Sequence, residues 1–402
     1  MNKQVKHMLT SSSEIDYSKP IPKFSKQLFQ QLETFGFSNN PMALAAIFDL
    51  IISASYIQNS KNGNWKYCPN SNFEEGKTAV YPFVSCCPAC LNKGTIFYIE
   101  SNKPQSAIIG KSTSEALVAL YHQISLKNNK DCKFYLIPGS AVVDAALTVD
   151  DKTILFEIKS SPLISFPMIA KSDPLYRTNE IGEDIAETNH EKHYMPSNVD
   201  VFLVFGDSLK INLGNFGKLK NGDHFGKILE WFSNIDNCRN YLHFWQSLYV
   251  GYIDKSKRTK YHWLTNGCGV PHPRPDDWPA RATSGFLSIS DGKNAVGMDR
   301  TDDLKKGIYQ VLKISTNYKS KDSQNIYAAL LSNIHAVRHH SDYISNLEDI
   351  VWANTKENIP TISDESITFN RHLVYNLFDG IINFTEPHFK DEFVKDILKI
   401  GK

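Results

Sequence analysis

Apolar residues recur at helical spacing through residues 26–60, at Leu28, Leu32 and Phe35 and again from Met42 to Ile57, so two helices are predicted there. Asn40 and Pro41 lie where the second helix needs a cap and a first-turn residue without an N–H. Residues 1–25 are polar and read as a flexible arm. Between Asn62 and Gly94 the pattern breaks into Gly, Pro, Asn and Cys. Helical spacing returns over Ser112–Leu126, with Ala116, Leu117, Leu120, Tyr121 and Ile124 on one face. Three apolar runs rich in strand formers follow: Lys133–Pro138, Ser140–Val149 and Thr153–Ile158. Asp150 and Asp151 mark a hairpin turn between the last two, and Val199–Phe205 reads as a further buried strand. The resulting order, helix–strand–strand–strand–helix–strand, predicts a mixed α/β fold. Farther on, a helix is expected near Phe225–Gln246, a strand at Phe286–Ser290, a helix from Thr301 to Ile314, and a largely helical stretch over 323–402.

The chain has 402 residues, 41% hydrophobic and 22% charged, the composition of an ordinary globular protein with more than one domain. A net charge of +1 argues against a partner bound by bulk electrostatics, yet permits a locally basic cleft. The first twenty residues lack the apolar core of a secretory signal, and the most apolar run, Leu44–Tyr56, is too short for a membrane span. A cytoplasmic location is therefore expected, and seven cysteines, an odd number, do not suggest a disulfide framework.

The segment with most chemistry is Asp144 followed by Glu157-Ile158-Lys159. Side chains alternate along a strand, so Glu157 and Lys159 share a face while Ile158 points away. Charge at the end of an apolar strand is costly unless something binds there. The turn at Asp150-Asp151 folds Asp144 back toward Glu157, and the two turn aspartates are themselves expected to be solvated. Two converging carboxylates suit Mg²⁺, which takes one or two protein carboxylates and keeps several waters. The ion stabilises charge and lowers the pKa of water, and a neighbouring lysine can orient that water.

This arrangement resembles the PD-(D/E)xK nuclease superfamily, which includes most type II restriction endonucleases. The resemblance covers roughly residues 105–206, with one departure: Val143, not proline, precedes Asp144. It implies a restriction-endonuclease-like mixed central sheet flanked by helices, to which the helical patterning adds segments at both ends and the cysteine-rich stretch a candidate small zinc-binding segment. It implies Asp144 and Glu157 as Mg²⁺ ligands, Ile158 as a ligand through its carbonyl, and Lys159 as the residue positioning water. Glu115, on the preceding helix, becomes a candidate further acid. The expected organisation is an N-terminal helical segment (1–60), a cysteine-rich segment (61–104), a nuclease core (105–322) with an inserted DNA-recognition region (207–285), and a C-terminal helical region (323–402).

Cys68, Cys86, Cys87 and Cys90 fall in the irregular segment, and the CPAC run is the kind of knuckle that grips zinc. Cys87 and Cys90 form the preferred pair, Cys68 the third ligand, and Cys86 or a histidine the fourth; buried thiols without metal are the competing reading. Candidate phosphate contacts are Lys257, Arg258 and Lys260 in a basic, aromatic stretch, and Arg300, Lys305 and Lys306 at a helix start. Solvated loops and simple helix-dipole pairing by Asp302 and Asp303 explain these equally. Pro271–Trp278 reads as a connecting or recognition loop, and His335, Arg338, His339 and His340 as a polar helix face.

The expected function is sequence-specific hydrolysis of double-stranded DNA by a type II restriction endonuclease. Cutting both strands favours a homodimer, and the resemblance implies a cognate DNA methyltransferase as functional partner. The alternatives are a repair or recombination nuclease of the same superfamily and a non-catalytic, zinc-containing nucleic-acid-binding protein.

Overall fold

The computed structural model describes residues 3–401 outside 58–59, 61–64, 74–75, 85, 95–100, 103, 130, 140–141, 173–175, 179–183, 187–198, 207–208, 216–221, 267–296, 321–322, 355–359, 363–366 and 370–373. The chain opens with α1 (Lys3–Thr10), β1 (Ser13–Glu14), α2 (Pro20–Thr34) and α3 (Pro41–Tyr56). The flexible arm expected over 1–25 is instead anchored. Val5 and Met8 of α1 are buried in an apolar cluster, and β1 pairs with a strand of the central sheet. Asn40 caps α3 as predicted, its side chain accepting from the N–H groups of Met42 and Ala43, with Pro41 in the first turn. Every residue of α3 from Ala43 to Tyr56 is buried, Asp49 included, so this helix lies inside the molecule.

Next come β2 (Lys66–Phe73), β3 (Gly76–Tyr81), α4 (Pro88–Asn92) and α5 (Ser106–Asn128). β4 (Cys132–Leu136), β5 (Ala145–Val149) and β6 (Lys152–Ile158) then form an antiparallel meander. Asp150 takes a φ of 53° in the turn between β5 and β6, a left-handed conformation that aspartate tolerates better than most residues. β7 (Met168–Ser172), β8 (Asp200–Val204) and β9 (Lys210–Asn215) lead to α6 (Asp223–Phe232), α7 (Ile235–Ile253) and α8 (Thr301–Tyr318). The chain closes with β10 (Ile326–Leu331), β11 (Gly380–Ile382), β12 (His388–Phe389) and α9 (Glu392–Leu398).

The fold is mixed α/β, with a large mixed sheet flanked by helices. Its strand order is β1-β4-β5-β6-β10-β11-β12; pairing is antiparallel through β6, then parallel from β6 to β10 and from β10 to β11. A second sheet, β9-β8-β7-β3-β2, is antiparallel throughout. Strand alternation gives the central sheet two apolar faces. Ile154, Phe156 and Ile158 join the core built by α3 and α5, whereas Leu155, with Ala146, Ala328 and Leu330, packs under Leu304, Val311 and Ile314 of α8. The far end of α8 is pinned by a buried ion pair between Lys319 and Asp379, whose carboxylate also accepts from the Ala328 N–H at 2.7 Å.

The buried strand expected at Val199–Phe205 is present as β8, and it lies in the second sheet; the parallel neighbour of β6 is β10. Composition identifies a buried strand and says nothing of its partner. Two other expectations need correcting. Among the described residues, the helical stretch expected over 323–402 supplies three strands of the central sheet and one α-helix of seven residues, α9, beside short π and 3₁₀ turns, so the sheet draws on chain beyond residue 322. The helix expected near Phe225–Gln246 is two, because Asn234 caps the second with its side chain. The strand expected at Phe286–Ser290 and the Pro271–Trp278 loop lie outside the described residues. Among the described residues, no helix is long and apolar enough to cross a membrane.

Candidate active site

Asp144, Glu157 and Lys159 meet at the edge of the α8 face. Glu157 and Lys159 continue the alternation of Thr153 and Leu155 on β6, and Asp144 stands one residue before β5. Asp144 extends the ladder: its N–H donates to the Phe156 carbonyl at 2.9 Å, and its carboxylate accepts from the Ile158 N–H at 2.8 Å. The carboxylate thereby replaces a backbone acceptor at the strand end and is fixed beside Glu157.

Glu157 is 4% exposed. Burial pushes its carboxyl well above the usual carboxylate range, and the Asp144 charge adds to the shift; Lys159 opposes both. Two carboxyls held so closely resist full ionisation together unless positive charge arrives. Lys159 contributes part of that charge. Its ammonium is hydrogen-bonded to Glu157 and lies 3.4 Å from the Ile158 carbonyl oxygen. Its stem passes α8 at Gly307, where an added Cβ would stand 3.1 Å from both Lys159 Cγ and Leu330 Cδ1.

The chain after Lys159 is held firmly. Asn333, fully buried, accepts from the Ser161 N–H at 3.2 Å and donates to the Ser161 carbonyl at 2.8 Å. Asp49 of α3 accepts from the N–H groups of Leu163 and Ile164, at 3.1 and 3.0 Å, and from Trp245 at 2.7 Å. Burial raises the Asp49 carboxyl to about 8 despite those three donors. Asp49 and Asn333 thus fix the segment that follows the E-x-K run.

Other expected site residues are distributed differently. Glu115 sits on α5, which covers the opposite face of the sheet; its charged neighbours are Lys111 and Lys19, and burial raises its pKa. The structure does not bring it to the Asp144–Glu157 pair. Arg300 does approach: it lines a cavity together with Lys159 and pairs with Asp303 at 3.3 Å. Lys305 and Lys306 are exposed on α8, the former over the Tyr343 ring. Lys257 pairs with Asp254, Arg258 donates to the Gly251 carbonyl, and Lys260 donates to the Asn92 carbonyl, so each has a local structural engagement.

Cys87 and Cys90 bracket the start of α4 and are buried against Val80 and Ala89. α4 packs on β2, the strand that carries Cys68, whose side chain lies outside the described residues. Cys86 points elsewhere, donating to the Trp263 carbonyl at 3.3 Å. Among the described residues, no group of three or more His, Cys, Asp or Glu side chains is arranged to hold a metal ion. His335, Arg338, His339 and His340 precede or begin a single π turn rather than occupying a helix face, and the rings of His335 and His340 meet tilted at 47° with centroids 4.4 Å apart.

Sequence reasoning overlooked Asp49, Asn333 and Gly307. Asp49 had a visible signal, a carboxylate inside the apolar run Leu44–Tyr56, and so did Gly307, a glycine inside a helix. Asn333 had none. The chain matches no protein-family model, no curated protein and no solved structure.

Proposed function

We propose that this protein is a magnesium-dependent DNA endonuclease of the restriction type, acting through Asp144, Glu157 and Lys159. The observation that carries the reading is the placement of all three on one face, with a buried Glu157 carboxyl facing Asp144 and Lys159 reaching it. The order α5–β4–β5–β6–α8–β10 supports it, since helices on both faces hold the meander that bears the acids.

The donor set fits a hard divalent cation. Two carboxylates and the Ile158 carbonyl would supply oxygen ligands, and the burial and Asp144 charge that raise the Glu157 pKa are both offset by a bound cation. When bound, magnesium supplies charge stabilisation at the phosphate and a lower pKa for water. Asp144 and Glu157 would hold it. Lys159, kept in place by Glu157 and the Gly307 groove, orients the attacking water by hydrogen bonding. In-line attack then forms one P–O bond and breaks another, leaving a phosphate monoester and a free hydroxyl. Two chains acting together would cut both strands, and a methyltransferase would protect the same sites. A structural zinc held by Cys68, Cys87 and Cys90 is part of this reading.

The test is cleavage of supercoiled plasmid with Mg²⁺ by the wild type and by Asp144→Ala, Glu157→Ala and Lys159→Ala. Each variant should retain its circular dichroism spectrum and lose cleavage by about 10²-fold or more, the scale of a positioned proton-transfer or water-orienting group. Variants as active as the wild type would remove the reading.

A further inference from the structure

Beside Lys159 the structure holds a cavity of ≈ 330 Å³ that the carboxylate pair does not occupy. It lies between the segment after β6, the first turns of α5 and the start of α8, and Lys159, Ser160, Ser114, Gly110 and Arg300 line it. We infer that this cavity is a subsite for a single unstacked nucleotide of the cleaved strand, with its phosphate toward Lys159 and Arg300. The inference rests on the nuclease reading and adds to it the form in which substrate is held.

Size comes first. A volume of ≈ 330 Å³ falls at the lower end of pockets that enclose a small organic molecule, about 300–1,000 Å³, and no double helix could enter it. Position comes second. Lys159 belongs both to the cavity wall and to the acid pair, so a phosphate at the acids places its neighbouring sugar and base at the cavity.

The lining has the right chemistry. Ser114 and Ser160 bring hydroxyls that can donate or accept, and the buried Ser160 Oγ has no hydrogen-bond partner within the protein. Lys159 and Arg300 supply positive charge, offset by Asp303, the one carboxylate in the wall among the described residues, which pairs with Arg300 at 3.3 Å. A polar body carrying one phosphate suits that balance.

Gly110 gives independent support. It lies within α5, exposed, where glycine favours the helix less than alanine does. No packing demand explains it, because a Cβ built there meets no atom within 4 Å. What the missing side chain does leave is room in the cavity. Unstacking a nucleotide costs a few kcal/mol, which contacts inside such a pocket can offset.

The test uses the intact protein in EDTA, titrated separately with the four deoxynucleoside 5′-monophosphates and with inorganic phosphate, by calorimetry and ligand-observed NMR. At least one monophosphate should bind saturably and more tightly than phosphate. Gly110→Leu, whose Cβ meets no atom within 4 Å and whose longer side chain takes up room at the cavity, should weaken that binding by about tenfold or more and slow plasmid cleavage, while its melting temperature stays level or rises. Glu157→Ala should bind the monophosphate and fail to cut. Three results would overturn the inference: no monophosphate binding, binding unchanged in Gly110→Leu, or phosphate binding as tightly as the monophosphates. If the wild type cuts DNA but any of these occurs, the subsite fails and the nuclease stands. If the monophosphates bind as described but no DNA is cut, the nuclease reading fails and the inference falls with it.

Discussion

At Glu157, burial and the Asp144 charge act in the same direction, and both favour the protonated acid. Lys159 relieves only part of that, so the site is electrostatically incomplete by construction. If Lys159 acts as proposed, removing its ammonium in Lys159→Ala should therefore cost twice, through the lost water-orienting group and through a still more reluctant Glu157. The loss of cleavage is expected at about 10²–10⁴-fold, with DNA binding within about threefold of the wild type, because one cation is a small part of a phosphate-contacting surface. Plasmid nicking rates and filter binding read the two quantities. Gly307 offers a subtler probe. Gly307→Leu crowds Lys159 Cγ and Leu330 Cδ1, each 3.1 Å from the added Cβ, and where the lysine is the group displaced, an angstrom of misplacement costs on the order of 10²-fold in rate. The variant's stability should fall by about 1–3 kcal/mol, the usual cost of overpacking a buried position, so cleavage is compared at a temperature where it remains folded. An active Gly307→Leu enzyme would show that Lys159 need not be held there.

At the scale of elements, α3 supports the site from behind. Asp49 ties this buried helix to the segment after Lys159, and its raised pKa has a measurable consequence. A folded-state pKa of about 8 against an ordinary 3.8 means the native protein keeps a proton that the unfolded chain gives up. That contribution is complete below pH 3.8 and is lost as pH rises through about 8. His262 works oppositely, since burial, with help from Arg258 and Arg338, lowers it to about 3, but it is silent above the ordinary histidine range. Between about pH 7 and 8, unfolding free energy should fall in the wild type by up to about 1.4 kcal/mol per pH unit more than in Asp49→Asn. Denaturant titrations at matched pH measure this, and equal slopes would contradict it. In the cysteine segment, α4 presents Cys87 and Cys90 beside the strand of Cys68. One equivalent of zinc is expected by elemental analysis, falling in Cys87→Ser and unchanged in Cys86→Ser. Purified protein without zinc would leave these residues as buried thiols.

Across the whole molecule, the sequence made the meander and its acids legible for a local reason. Period-two alternation, the Asp150-Asp151 turn and the E-x-K run are contiguous, and together they fix which residues share a face. The parallel partner of β6 was not legible. β10 arrives more than 160 residues later, and a buried strand carries no mark of its neighbour. Strands β11 and β12 were missed because they are three and two residues long, too short for any periodicity to register; β10 is six residues, but a continuous apolar run of that length reads equally as buried helix. Glu115 was placed on the correct helix, but nothing local to α5 reveals which face of the sheet it covers. The cavity beside Lys159 assembles from three separate stretches and could be found only in three dimensions. The central claim, that this assembly cuts DNA, is tested most directly by incubating the purified protein with unmethylated phage DNA and Mg²⁺, beside EDTA and Glu157→Ala controls. Discrete fragments that vanish in both controls are the expected result; DNA left intact across Mg²⁺, Mn²⁺ and several substrate forms would contradict the account.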